Sequence, residues 1–228
     1  MKRLIITILS LVFSISLINS AITAAGKNYG GYYGSYAYLV DNFEDEDITN
    51  NPKWWAFGDL YLSFNDNAMY NIPYLGKKSI MLEGQTSNRY IGGLGTFLAI
   101  DGTRYDTLKL YVYGSGKDSG ALRIELYDDD NHNHVIERNP RAQSSALYDD
   151  VFTYTFSVDW QGWRVIIIPL WYFSDTNVTA GDNIWNPNQL NGSGGLIQMQ
   201  IIVLASDLRG EASIQLDAVK FYNAKRIR

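Results

Sequence analysis

Two acidic clusters are the first residues in this chain with the makings of a site. Asp41, Glu44, Asp45, Glu46 and Asp47 crowd around Asn42 and Phe43, and Asp128, Asp129 and Asp130 run straight into Asn131. Hard cations are held by carboxylate and carbonyl oxygens gathered in such numbers, so both clusters point to calcium. The second half-resembles an EF-hand loop, but the glycine at the sixth position is missing. Zinc would ask for thiolates or well-spaced imidazoles, and the chain offers no cysteine and only His132 and His134. A solvated turn accounts for either cluster equally well.

Bond-breaking chemistry has less to draw on. A thiol nucleophile is excluded, and a Ser/His/Asp triad would have to take its base from the Asn/Asp-rich turn around His132 and His134. There is no phosphate cradle of the GxxxxGK[ST] kind. Gly92, Gly93 and Gly95 fall inside a strand pattern, where glycine signals a bulge or a close backbone approach. Glycoside hydrolysis needs only two carboxyl groups placed across the scissile bond, and Glu83, Glu125 and Glu137 lie on or near strands. A solvated strand face explains each of them, so the sequence reads as that of a non-enzymatic protein.

The elements that must position these residues are strands. Turn residues separate short apolar runs at Leu39–Phe43, Asp59–Phe64, Ser79–Glu83, Tyr90–Leu98, Leu108–Tyr113, Ala121–Tyr127, Phe152–Val158, Trp163–Leu170, Gln198–Leu204 and Ser213–Tyr222, and almost nothing follows a helical period. Leu108, Leu110 and Val112 alternate with Lys109, Tyr111 and Tyr113; Leu122, Ile124 and Leu126 alternate with Arg123, Glu125 and Tyr127. Strands that bury one face and wet the other build antiparallel sheets. The expected fold is all-β, a two-sheet antiparallel β-sandwich of the jelly-roll kind. The run Val165-Ile166-Ile167-Ile168 marks Trp163–Leu170 as the best candidate for a central strand, ended by Pro169. From Trp171 to Leu196 turn chemistry prevails, and Trp171, Tyr172, Phe173 and Trp185 argue that this long surface loop packs.

The chain ends are organised differently. Residues 1–25 run from Lys2 and Arg3 through an apolar stretch to Thr23-Ala24-Ala25, the layout of a secretory signal peptide whose core is too short to span a bilayer. The protein is therefore expected to be exported, periplasmic or extracellular, with no transmembrane anchor in the mature chain. Residues 26–38, GKNYGGYYGSYAY, form a Gly/Tyr-rich N-terminal arm, and 39–228 form the jelly-roll domain. Loss of Lys2 and Arg3 takes the formal charge from -5 to -7, and an acidic surface repels phosphate backbones, which argues against nucleic acid as a partner.

Aromatic residues make up 14% of the chain, enough to place some outside the core, and tyrosine and tryptophan serve as wet contact surface as readily as packing. The wet face expected for a glycan brings Tyr111 and Tyr113 beside Arg123, Glu125 and Tyr127, with Gln198 and Gln200 as neighbours. Rings would stack on sugar C–H faces while guanidinium, carboxylate and amide groups meet hydroxyls. Ordinary cross-strand pairs such as Lys109 with Glu125 explain the same residues. Among the loop tryptophans, Trp54, Trp55, Trp171 and Trp185 are candidate stacking platforms, with Trp54 and Trp185 foremost, while Trp163 reads as core.

Several stretches taken together resemble a known family. Val40-Asp41-Asn42-Phe43-Glu44-Asp45 followed by Trp54-Trp55, then Leu108 to Gly114, Leu122 to Asp130, Trp163-Arg164 with Ile168-Pro169-Leu170 and Phe173, and Ile214 to Val219 resemble a galactose-binding-like jelly roll, nearest to family 11 carbohydrate-binding modules. The resemblance implies a secreted, non-catalytic glycan-binding domain. It also implies one structural Ca2+ tying the first strand to the last, through Asp41 or Glu44 with Asp217. Tyr111-Val112-Tyr113-Gly114 and Gly162-Trp163-Arg164 are similar to stretches of spirochaetal flagellar filament outer-layer proteins. That likeness implies the alternative, a structural subunit of a periplasmic flagellar sheath or extracellular filament that assembles with itself or with a filament protein through its arm.

Overall fold

The computed structural model describes residues 36–66, 76–138, 146–206 and 210–226. The expected signal peptide and all but the last three residues of the arm lie outside the described residues. Of the latter, Ala37 and Tyr38 already belong to strand β1 (Ala37–Asp41), two residues ahead of the boundary read from the sequence.

The chain folds into the expected β-sandwich. One sheet has the order β3 (Tyr61–Asp66), β4 (Lys78–Gln85), β12 (Glu211–Tyr222), β6 (Thr107–Ser115), β9 (Gln161–Pro169), and β1 also pairs with β12. The other has the order β10 (Ser174–Asp175), β8 (Asp150–Ser157), β7 (Ala121–Asp128), β11 (Leu196–Leu204), β5 (Tyr90–Ile100), β2 (Trp54–Gly58). For brevity they are called the β12 sheet and the β11 sheet. Neighbouring strands all run antiparallel. The chain crosses from one sheet to the other after β1, β2, β4, β5, β6, β8, β9 and β11, as the winding of a jelly roll requires. Among the described residues no helix is long and apolar enough to cross a membrane.

The alternating strands do what their patterns dictate. Leu108, Leu110 and Val112 of β6 face Leu122, Ile124 and Leu126 of β7 across a shared core, all fully buried. Each such side chain contributes about 1.5–3 kcal/mol relative to exposure, which suffices to hold a domain without disulfides. Ile80, Leu82, Leu94, Met199, Ile201, Val203, Ile214, Leu216 and Phe221 complete the same interior.

The strand expected at the centre lies at an edge. β9 closes the β12 sheet beside β6, and its apolar run is split between faces: Ile166 and Ile168 pack inward, while Val165 and Ile167 are exposed at 46% and 54%. The strand that is central and covered on both faces is β11, buried at all nine positions despite Gln198 and Gln200. Unbroken burial follows from position between β5 and β7, not from an unbroken apolar run. Trp163 is likewise not core but packs edge-on against Tyr113 on the outer face, ring centres 5.6 Å apart, whereas Trp160 joins the interior.

Two strands escaped the sequence reading. β2 is five residues long and shut between Pro52-Lys53 and Gly58-Asp59, too short to show a period. β10 is two residues that pair with β8 at the head of the long loop. That loop packs as expected: Phe173 is buried, and Trp185 stands edge-on to Phe152 at 5.0 Å.

Candidate functional site

Register lays out the outer face of the β11 sheet in rows. Trp55, Gly95, Gln200, Glu125 and Thr153 stand directly opposite one another across β2, β5, β11, β7 and β8. The next row is Phe57, Gly93, Ile202, Arg123 and Thr155, and the row on the other side holds Phe97, Gln198, Tyr127 and Val151. Strands sit about 4.8 Å apart, so β11 and β7 lie about 10 and about 14 Å from β2, a span that more than one sugar ring would be needed to bridge.

The glycines of β5 make the rings fit. A Cβ at Gly95 would meet the Trp55 indole before anything else, and one at Gly93 would come within 2.7 Å of the Phe57 ring and 2.6 Å of the Ile201 carbonyl. The close backbone approach expected at these glycines is found at Gly93 and at Gly92, where a Cβ would meet the Phe57 carbonyl, while at Gly95 the approach is by the Trp55 side chain. Phe97, 60% exposed, leans on Trp55 with ring centres 5.0 Å apart.

These residues enclose two joined hollows. The larger, about 540 Å³, is lined by Trp55, Phe57, Tyr90, Arg123, Glu125, Arg138, Gln200 and Ile202. The smaller, about 280 Å³, adds Phe97, His134, Val135, Ile136 and Gln198 and shares Trp55 and Arg138 with the first. At the floor, the Nε2 groups of Gln198 and Gln200 are buried and find no hydrogen-bond partner among the described residues. A buried amide left unpaired costs free energy, so both are donors in want of an acceptor.

Glu125 is held between two neighbours. The Tyr127 hydroxyl donates to its Oε2 at 2.8 Å, and Arg123 Nη1 stands 3.7 Å from its Oε1. Burial pushes the Glu125 carboxyl above its ordinary range, opposed by the Tyr127 hydrogen bond and the Arg123 charge. Burial and the neighbouring Glu125 charge raise the Tyr127 hydroxyl as well, so it stays a donor. Glu83 cannot converge with Glu125, because it lies on the β12 sheet, accepting from Ser213 Oγ at 3.2 Å. Glu137 is occupied by the side-chain amides of Asn131 and Asn133.

The structure divides the expected wet face. Arg123, Glu125, Gln198 and Gln200 come together on the β11 sheet, but Tyr111 and Tyr113 project from β6 in the other sheet, beside Val165 and Trp163 of β9. Alternation along a strand fixes which face a side chain takes, not which sheet the strand joins. Tyr127 is no stacking surface either: it is 1% exposed and packed with Ala146, Val151, Ile197 and Ile136. Trp54 turns inward, its Nε1 donating to Asp41 Oδ2 at 2.7 Å, and Trp185 is occupied by Phe152. The aromatic residues that line the hollows are instead half-buried Trp55 and Phe57 with exposed Tyr90 and Phe97; the Trp54-Trp55 pair held the signal for the first, since adjacent strand residues point opposite ways.

Asp41 and Glu44 lie close enough to Asp217 for their charges to act on it, and the strands that carry Asp41 and Asp217 are irregular there. The register of β1 shifts between Leu39 and Asp41, that of β12 between Asp217 and Lys220, and Ala218 takes φ 46°. Asp41 Oδ1 accepts from the Phe43 amide at 2.7 Å, and Glu44 Oε1 accepts from the amides of Lys77 and Lys78 at 2.8 Å. Asp217 is fully buried with neither carboxylate oxygen hydrogen-bonded among the described residues. Burial, then the charges of Glu44 and Asp41, push its pKa up to about 8. A carboxylate in that state suits a cation.

Among the described residues the tightest carboxylate group lies at the other acidic cluster. Asp130, Asp150 and Asp182 each offer an oxygen within 4.8 Å of the others, close enough to hold a metal ion.

No family model matches the chain, and no curated protein matches it. Solved structures do. The family 11 carbohydrate-binding module of the cellulosomal cellulase Lic26A-Cel5E of Clostridium thermocellum is similar over 82% of this chain and 95% of its own, at 14% identity and TM-score 0.48. The family 11 module from Clostridium thermocellum in complex with a β-1,3-1,4-mixed-linked tetrasaccharide covers 83% and 96%, at 15% identity and TM-score 0.48. An arabinose-bound MgGH51 α-L-arabinofuranosidase is similar over 86% of this chain but only 28% of its own, at 12% identity and TM-score 0.50. Carbohydrate-binding modules of the β-sandwich type are thus among the chain's structural neighbours, and the likeness is one of fold.

Proposed function

We propose that this chain binds a glycan on the outer face of the β11 sheet, across the two hollows joined at Trp55, and does so without catalysis. The observation that carries the reading is the pairing of rings that line the hollows, half-buried Trp55 and Phe57 and exposed Phe97, with unpaired buried amides of Gln198 and Gln200. A pyranose presents apolar C–H faces and a rim of hydroxyls, and a site of flat rings with a few fixed polar groups complements both. Glu125, pinned by Tyr127 and Arg123, adds an acceptor, and Arg138 adds donors at the junction of the hollows. Two hollows in line favour an oligosaccharide over a single sugar.

The chain's own residues also support one structural Ca2+ at Asp41, Glu44 and Asp217, where it would satisfy the buried Asp217 carboxylate and fasten β1 to β12. Export follows from the leader in residues 1–25. The sheath or filament alternative rests on the arm, nearly all of which lies outside the described residues, and nothing in the β11 sheet calls for it.

The test is a glycan array followed by calorimetry on the best ligand. Binding that Trp55→Ala weakens at least tenfold, with the fold intact by circular dichroism, supports the reading; no binding to any polysaccharide, or binding indifferent to Trp55→Ala, overturns it.

A further inference from the structure

The end of the sandwich where β7 and β8 meet is packed with acids. Asp128 pairs with Asp150 as the last rung between the two strands, and Asp129, Asp130 and Asp149 flank it. Four of these five carry no more than 1% exposure. The charges that act on Asp150 are those of Asp130, Asp175 and Asp182, all negative.

Backbone amides arrange this group around a common point. Asp130 Oδ2 accepts from the Asp150 amide at 2.8 Å, and the Ile184 amide donates to both Asp150 Oδ2 at 3.1 Å and Asp182 Oδ1 at 2.9 Å. What remains is Asp150 Oδ1, buried and without a hydrogen-bond partner among the described residues. It is aimed at Gly181: a Cβ there would meet Asp150 Oδ1 and Asp130 Oδ2 ahead of any other atoms. Gly181 also has φ +61°, so both its conformation and its missing side chain let the loop close over these two oxygens.

We propose that Asp130, Asp150 and Asp182 hold one divalent cation of the calcium type, separate from the one at Asp217. Three carboxylates supply hard oxygen ligands on a loop able to adjust, which suits the larger ion over magnesium with its strict octahedron. The cation clamps the 176–195 loop onto the ends of β7 and β8. Asp182 comes from that loop, and Ile184 and Asn186 are tied back to Asp150 and Asp128 on either side of Trp185.

The experiment is calcium titration of the chelator-stripped full chain by calorimetry, with Asp150→Asn and Asp182→Asn alongside. Asp182 is exposed, so its variant folds even if Asp150→Asn does not. The wild type is expected to bind calcium, and each variant is expected to lose one equivalent or to bind it at least tenfold more weakly. An Asp217→Asn control is expected to leave this equivalent in place. Wild-type uptake that is absent up to about 10 mM, an order of magnitude beyond the weakest extracellular sites, overturns the proposal, as does uptake that Asp182→Asn leaves unchanged. Glycan affinity is read separately, so failure there does not touch this result.

Discussion

The Trp55 indole occupies the very space a side chain at Gly95 would fill, one strand away. A ring held this way is positioned by an absence, and the position can be tested without touching the ring. Gly95→Ala places a methyl group first against the indole, with no backbone atom among its three nearest contacts, and is expected to weaken glycan binding about tenfold while shifting the melting temperature little. Gly93→Ala would press on the Ile201 carbonyl as well as on Phe57, and is expected to destabilise the domain. Equal melting temperatures for both variants, with unchanged affinity, would contradict this account.

Tyr111→Ala and Tyr113→Ala are expected to leave glycan affinity within twofold of wild type, because both rings lie on the β12 sheet. The same calorimetric titration decides it. A large loss in either variant would move the site to the other face of the sandwich.

Trp54→Phe keeps the ring in the core but removes the donor to Asp41 Oδ2, 2.7 Å away. Asp41 is buried, and burial already pushes its carboxyl up to about 6 against the hydrogen bonds of Phe43 and Trp54. Leaving that oxygen short of a partner is expected to cost about 1–3 kcal/mol in urea unfolding. Glycan affinity should not change.

The buried acids set a pH dependence for the cation-free protein. Burial, foremost, pushes Asp128 and Asp217 up to about 8 and Asp149 and Asp150 up to about 7, against about 3.9 in an unfolded chain. Above pH ~4 the unfolded chain gives up protons that the folded one keeps, so stability falls as pH rises and levels off only above the folded values. In chelator the melting temperature is expected to be higher at pH 5 than at pH 8, and calcium is expected to restore it at pH 8. A melting temperature that rises from pH 5 to pH 8 in chelator would defeat this.

Much of the fold was legible because one-sided burial leaves a mark at every second residue. β6 and β7 could be read residue by residue, and ten of the strands follow from such runs. What alternation does not encode is which sheet a strand joins and how far in. Hence the apolar run makes β9 read as central although β11, carrying two glutamines, is; and Tyr111 reads as a neighbour of Arg123 although a whole sandwich separates them. Tyr127 departs from its pattern for a different reason: Ile136 and Ala146, from the segment after β7, fold back over it. The acidic clusters were visible as composition, but the partner acids Asp149, Asp150 and Asp182 come from distant stretches, and only the fold gathers them.

The two strands at the heart of the sheets, β11 and β12, are also the last two in the chain. Without them the other strands pair only as separate groups, β3 with β4, β6 with β9, β2 with β5, and β7 with β8 and β10. Closing the sandwich therefore waits on pairings between strands far apart in sequence, the kind that slow the folding of β proteins.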